Sequence, residues 1–291
     1  MKVDVALEWF LNPDHLPFLV AEEAGLFARA GLTVGLIPPE GHYDGLAEVA
    51  AGRVAFACNE PLHMLDAKRP GLRALGCFFE TEGGVMLTPE GERRLLAGEP
   101  IRIASPVSAE PTDAIAREIL RRHVAAKGGR FAPAAVIIVE AGFRHLDNLK
   151  AGFDGAWLCF HNFEVVGAAA EGLPHVFVST AAVGLPNFSA LELFTSHPFA
   201  AREPGAVAAM QEALAEAIAL IRRDPDRAGA IWRRRSGEQD SPLLRAILAD
   251  TLPRFVTPIR PDPDRWRDLF EAFRSMGFAA ITAEEYAALF G

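Results

Sequence analysis

The sequence predicts an α/β protein of two lobes, each a mostly parallel sheet flanked by helices and joined by two hinge crossings. Two observations carry the prediction. Short apolar runs alternate with segments of helical period over the first 160 residues, the pattern of strands linked by helical crossovers. The alternation is then interrupted by a polar, glycine-containing stretch near residue 90, and a strand resumes near residue 190, so the chain leaves one lobe, builds a second and returns. A length of 291 residues suffices for two lobes of ordinary size. The expected division places residues 1–90 and 190–291 in the first lobe and 91–189 in the second.

Residues 3–10 read as the opening strand, closed by Trp9 and Phe10, and Asn12, Pro13, Asp14 and His15 make a polar turn. A helix over 16–30 follows, with Leu16, Leu19, Val20, Ala24 and Phe27 at helical spacing. A strand over 32–37 stops at Pro38 and Pro39, and a short helix ending at Gly52 leads to a strand over 54–58. Asn59, Glu60 and Pro61 form a second polar junction, and strands over 72–80 and 84–88 precede a polar segment, 89–99, expected to be the crossing.

The second lobe opens with a strand over 101–104, a small polar turn containing Ser105 and Ser108, and a helix over 113–126. Strands over 135–140 and 155–159 flank a short helix at 146–151. The return runs through Leu185, Pro186, Asn187 and Phe188 into a strand over 190–195. The rest is helical: 204–223, 225–235, 241–252, 263–276 and a last helix from Ala283. Two lobes with two crossings are the plan of a hinged binding protein.

Composition narrows the function. With 29 basic and 38 acidic residues the net charge is −9, and the basic residues are scattered, Arg233, Arg234 and Arg235 forming the one short run; nucleic acid is not an expected partner. Cys58, Cys77 and Cys159 have no paired spacing and read as core residues or free thiols. No metal-ligand motif, nucleophile with an adjacent base, or acid/base pair stands out, so no catalytic or metal-binding residue is assigned. The opening MKVDVALEW has no secretory pattern and no transmembrane run is read, so membrane insertion is not expected and the chain as written reads as cytoplasmic. Removal of a leader upstream of Met1 would make it periplasmic or membrane-associated.

In open α/β sheets ligands sit outside the carboxyl ends of the strands, so Trp9 and Asn59 are expected to face one crevice. The stretch from Trp9 into the helix reads equally well as a packed strand and a well-capped helix. Likewise Phe188 also reads as core, His63 as a satisfied core histidine, Glu164 as a solvated helix start, and Ser105 and Ser108 as helix caps.

Trp9 with Asn12 and His15, followed by AEEAGLFARAGLTV, resembles the opening of solute-binding proteins for thiamin pyrimidine precursors. GRVAFACNEP, LKAGFDGAWLCFHNFE and GLPNFSALELFTS are similar to later segments of that family, so the resemblance covers nearly the whole chain. It implies the type II periplasmic-binding-protein fold, an aminopyrimidine held in the interlobe cleft, no cofactor, and the permease of an ABC transporter as partner.

The family's carboxylate that pairs with the aminopyrimidine edge is matched by Glu164. Trp9, Phe160 and Phe188 supply candidate ring faces, and Asn12, Asn59, Asn187, Ser105 and Ser108 neutral hydrogen bonds, with His15, His63 and His161 as further candidates. The alternatives are a sulfonate or nitrate binder of the same fold, a dehydratase, or an enzyme like the fungal pyrimidine synthases, which the resemblance links to pyridoxal phosphate and iron. His63 falls near the synthase histidine, but Asn59 stands where a lysine is needed and residues 184–196 contain no cysteine.

Overall fold

The computed structural model describes residues 1–39, 43–106 and 112–291. The chain divides into two units, Met1–Glu80 with Phe188–Gly291, and Thr81–Asn187. Its strands in chain order are β1 (Lys2–Ala6), β2 (Thr33–Ile37), β3 (Phe56–Asn59), β4 (Leu72–Glu80), β5 (Gly83–Leu87), β6 (Ile101–Ser105), β7 (Val136–Glu140), β8 (Gly155–Phe160), β9 (Val176–Ser179) and β10 (Ala190–Ser196).

The first unit is a five-stranded sheet of order β2-β1-β3-β10-β4 with helices packed on it. β1 pairs in parallel with β2 and β3, whereas β10 is antiparallel to both β3 and β4. The buried faces follow from sequence: Val3, Val5 and Leu7 enter the core beside Phe56, Cys58 and Phe78. Helix Leu16–Glu23 packs against helix Pro204–Arg223, whose Val207, Met210, Leu214, Ile218 and Ile221 form a buried stripe. By length and composition this 20-residue helix could cross a membrane, but that stripe belongs to the first unit's core.

The second unit repeats the scheme with the order β7-β6-β8-β5-β9. β6 pairs in parallel with β7 and β8, and β5 is antiparallel to β8 and β9. The predicted α/β class and pair of sheet-and-helix units are therefore present, but the sheets are mixed rather than mostly parallel, with two parallel and two antiparallel pairings in each. The antiparallel pairings come from β5 and β10, the strands next to the two crossings.

Several local expectations change. The first strand ends at Ala6, and Glu8 to Leu11 bend away from the sheet. The helix expected over 16–30 is broken by Gly25, whose φ of 68° is left-handed, so a second short helix, Leu26–Arg29, takes a new direction. The segment 89–99 is not a crossing. Thr88 caps a helix over Pro89–Ala97, and β5 before it already belongs to the second sheet, so the chain changes units at Glu80 and Thr81.

Candidate functional site

In the first unit the carboxyl end of β1 pairs in parallel with the start of β3, Val5 and Ala6 with Phe56 and Ala57, so β3 runs two residues further in the same direction to Asn59. The turn after β1 is held by its own side chains. Asn12 Oδ1 accepts the Asp14 N–H at 2.9 Å, its amide nitrogen donates to the Phe10 carbonyl at 3.2 Å, and its backbone N–H donates to His15 Nδ1 at 3.2 Å. Asn12 and His15 are buried. Both therefore shape the turn that presents Trp9 and Phe10, whose rings meet edge-on with centroids 4.7 Å apart; Phe10 is 43% exposed.

Because His15 Nδ1 accepts a backbone N–H, the ring proton of the neutral imidazole lies on Nε2, which donates to Glu8 Oε2 at 3.0 Å. The Cys58 thiol on β3 donates to the same oxygen at 3.3 Å. Burial, reinforced by the Glu8 charge, pushes that thiol well above its ordinary range, which keeps it protonated. Glu8, His15 and Cys58 are close enough to suggest a metal trio. The hydrogen bonds argue otherwise: Nε2 carries a proton, and moving it to Nδ1 would set two donors, that ring and the Asn12 N–H, against each other. The trio instead pins the β1 turn to β3.

At the end of β3, Asn59 Oδ1 accepts the Glu60 N–H at 2.8 Å. His63 Nδ1 lies 2.7 Å from Asp66 Oδ2, and Nε2 is 3.7 Å from Glu60. Burial works against a charged His63, but Asp66 outweighs it and the ring is held above its ordinary value. Arg69 pairs with Asp66 at 3.0 Å and Asp44 at 2.9 Å. Burial pushes the Glu60 carboxyl up to about 7, with His63 offsetting part of the rise and Glu8 adding to it, and its Oε1 has no hydrogen-bond partner among the described residues. This edge gathers the carboxyl groups of Glu8, Glu60 and Asp66, and its guanidinium, Arg69, is already engaged by Asp66 and Asp44. It suits a ligand bearing N–H donors better than an anion.

In the second unit, Ser105 ends β6 and is fully buried, and Phe160 ends the adjacent β8. Leu158 is the residue of β8 left unmatched by β5, a bulge with φ at 59°, uncommon outside glycine. Beyond it, a π-helical turn, His161–Val165, folds Glu164 back so that its Oε2 accepts the Phe160 N–H at 2.8 Å. Glu164 is 5% exposed and raises the neighbouring Cys159 thiol further above the level that burial sets. His161 is fixed by its backbone N–H to the Glu82 carbonyl at 2.8 Å, and its ring meets Phe177 edge-on.

The structure thus brings Trp9, Asn12, His15, Asn59 and His63 to one sheet edge, and Ser105, Phe160, His161 and Glu164 to the corresponding edge of the other sheet. Asn187 serves the crossings: its amide nitrogen donates to the Thr81 carbonyl at 2.7 Å. Phe188 is 1% exposed and packed within the first unit. Ser108 lies outside the described residues. Sequence reasoning missed Glu8, Glu60 and Asp66 as members of the first edge, although Glu8 directly precedes Trp9 and Glu60 directly follows Asn59.

These residues do not fit covalently held pyridoxal phosphate. Asn59, whose amide oxygen is engaged by Glu60, stands at the amine position, and Lys68, the nearest lysine in sequence, pairs with Glu285 at 2.9 Å.

Comparison with known proteins gives the family. The formylaminopyrimidine-binding protein of Halalkalibacterium halodurans is 22% identical over 255 residues, 86% of this chain and 75% of that protein. The 4-amino-5-hydroxymethyl-2-methylpyrimidine phosphate synthase of Uromyces fabae is 30% identical over 81 residues, which is 27% of this chain and only 24% of the synthase. Among solved structures, the alkanesulfonate-binding protein of Xanthomonas axonopodis pv. citri superposes with a TM-score of 0.67 at 14% identity, covering 96% of this chain and 94% of that one, a likeness of fold. The sequence pattern of the family described as NMT1/THI5 like matches residues 12–81 and 107–228, about two thirds of the chain and most of both sheet edges, and the chain belongs to that family.

Proposed function

We propose that this protein binds a small aminopyrimidine related to the precursors of thiamin and releases it unchanged. The observation that carries the reading is Glu164, a buried carboxylate at the carboxyl end of β8, held by the Phe160 N–H. An ionised carboxylate accepts from an exocyclic amine, or from a ring nitrogen that carries a proton. The formylaminopyrimidine-binding relative supports the ligand class. The acidic first edge speaks against the sulfonate and nitrate alternatives, whose anionic ligands call for cations or free N–H donors. The reading includes export of the chain and a membrane permease as its partner.

Calorimetric titration tests it. Heat is expected with 4-amino-5-hydroxymethyl-2-methylpyrimidine or its formylamino analogue, and none with an alkanesulfonate or nitrate. The reverse pattern overturns the reading. Trp9, beside Phe10 on the first edge, is assigned a ring-face contact at that edge. Trp9→Ala is expected to weaken the pyrimidine about tenfold, roughly 1.4 kcal/mol, in the same titration. An unchanged affinity would remove Trp9 from the site.

A further inference from the structure

Helix His145–Lys150 follows β7 and packs on β6 and β8, the strands that end in Ser105 and Phe160. Its first residue, His145, is 1% exposed, and neither Nδ1 nor Nε2 has a hydrogen-bond partner among the described residues. The surrounding polar groups are provided for: Asn148 donates to the Ala141 carbonyl at 3.1 Å, and the Ala141 N–H donates to the Ser105 carbonyl at 2.8 Å. Burial alone drives the imidazole down to about 4, so the ring is neutral, with one donor and one acceptor.

A buried imidazole unpaired at both nitrogens is costly, and a leucine there would not carry that cost. Its position adds to the argument, because the segment between the end of β7 and this helix lies at the carboxyl edge of the parallel strands, where ligands bind in such sheets. We propose that His145 is a ligand-binding residue of the second unit, giving a hydrogen bond to an uncharged heteroatom of the pyrimidine, a ring nitrogen or a hydroxyl. The assignment rests on the aminopyrimidine reading and extends it with a neutral contact, complementary to the charged one from Glu164.

The test compares wild type with His145→Leu, using 4-amino-5-hydroxymethyl-2-methylpyrimidine as the probe. The unliganded variant is expected to melt at a higher temperature than wild type, because an unpaired polar group has been removed. Its affinity for the probe is expected to fall at least tenfold. In wild type, the ¹⁵N resonances of the His145 ring are expected to move on adding the probe, a readout that does not depend on how the variant folds. Unchanged affinity in the variant, or unmoved ring resonances in a wild type that binds, overturns the assignment and leaves the pyrimidine reading standing. Failure of wild type to bind the probe overturns both.

Discussion

Glu164→Gln is expected to weaken aminopyrimidine binding by ten- to a hundredfold while the protein keeps its fold. With its oxygen on the Phe160 N–H, the glutamine turns an NH2 donor toward the ligand's amine, so a charge-assisted hydrogen bond of roughly 1.5–3 kcal/mol is lost. The geometry separates this effect from structural damage. Glu164 Oε2 already accepts the Phe160 N–H at 2.8 Å, and a glutamine oxygen accepts from the same donor, so the π-helical turn keeps its closing bond. Were Glu164 only a cap for that turn, Glu164→Gln would leave affinity untouched, and Glu164→Ala would lower the melting temperature by removing the acceptor. Titration calorimetry and thermal melts on the two variants distinguish these outcomes: loss of affinity with an unshifted melt for the glutamine variant places Glu164 in the site, and an unchanged affinity removes it.

How much of this was readable beforehand depends on whether the deciding contacts are local. Helix Pro204–Arg223 and strand Leu72–Glu80 have the bounds the sequence predicts. Pro204 marks the first turn of the helix, a proline follows Asp224 at its end, and the strand is a nine-residue run that is largely buried. Gly25 was visible but its left-handed φ was not, because helical spacing continues through it in Ala24 and Phe27. β9 went unrecognised, for four residues, Val-Phe-Val-Ser, give too short a period to read. The crossing was placed late because a polar segment signals an exposed helix as readily as a connection.

At the candidate site the legible part was the set of residues at strand ends. What was hidden was the partner of each. Asn12 and His15 looked like ligand contacts by type, yet the structure engages both within the turn. Glu8 meets Cys58 across 50 positions of sequence, and no spacing rule reaches that far. His145 sits in a stretch that reads as an ordinary short helix start, and only its burial without partners singles it out. The Leu158 bulge depends on pairing with β5, so it too is invisible to a reading of β8 alone.

Glu192→Gln is expected to stabilise the protein at neutral and alkaline pH and to have almost no effect at pH 4. Glu192 lies in β10, opposite Asn59 on one side and Cys77 on the other. It is 1% exposed, and Oε2 accepts the Trp266 indole N–H at 3.0 Å. Burial pushes its carboxyl up to about 8, more than the Trp266 hydrogen bond, the Gly76 backbone N–H and the positive charge of Arg265 offset. The unfolded chain loses this proton in the ordinary carboxylate range. Below that range both states are protonated and no penalty exists. As pH rises toward 8 the unfolded state has released a proton that the folded state retains, so stability falls, and above about 8 the penalty is complete. A glutamine accepts the same indole N–H and never ionises. The variant should therefore gain roughly 2–4 kcal/mol over wild type above pH 8, with the gain shrinking toward zero at pH 4. Denaturant unfolding of both proteins across that range measures the difference. A gain that does not vary with pH, or a loss at every pH, would show that Glu192 is not held protonated between β10 and Trp266.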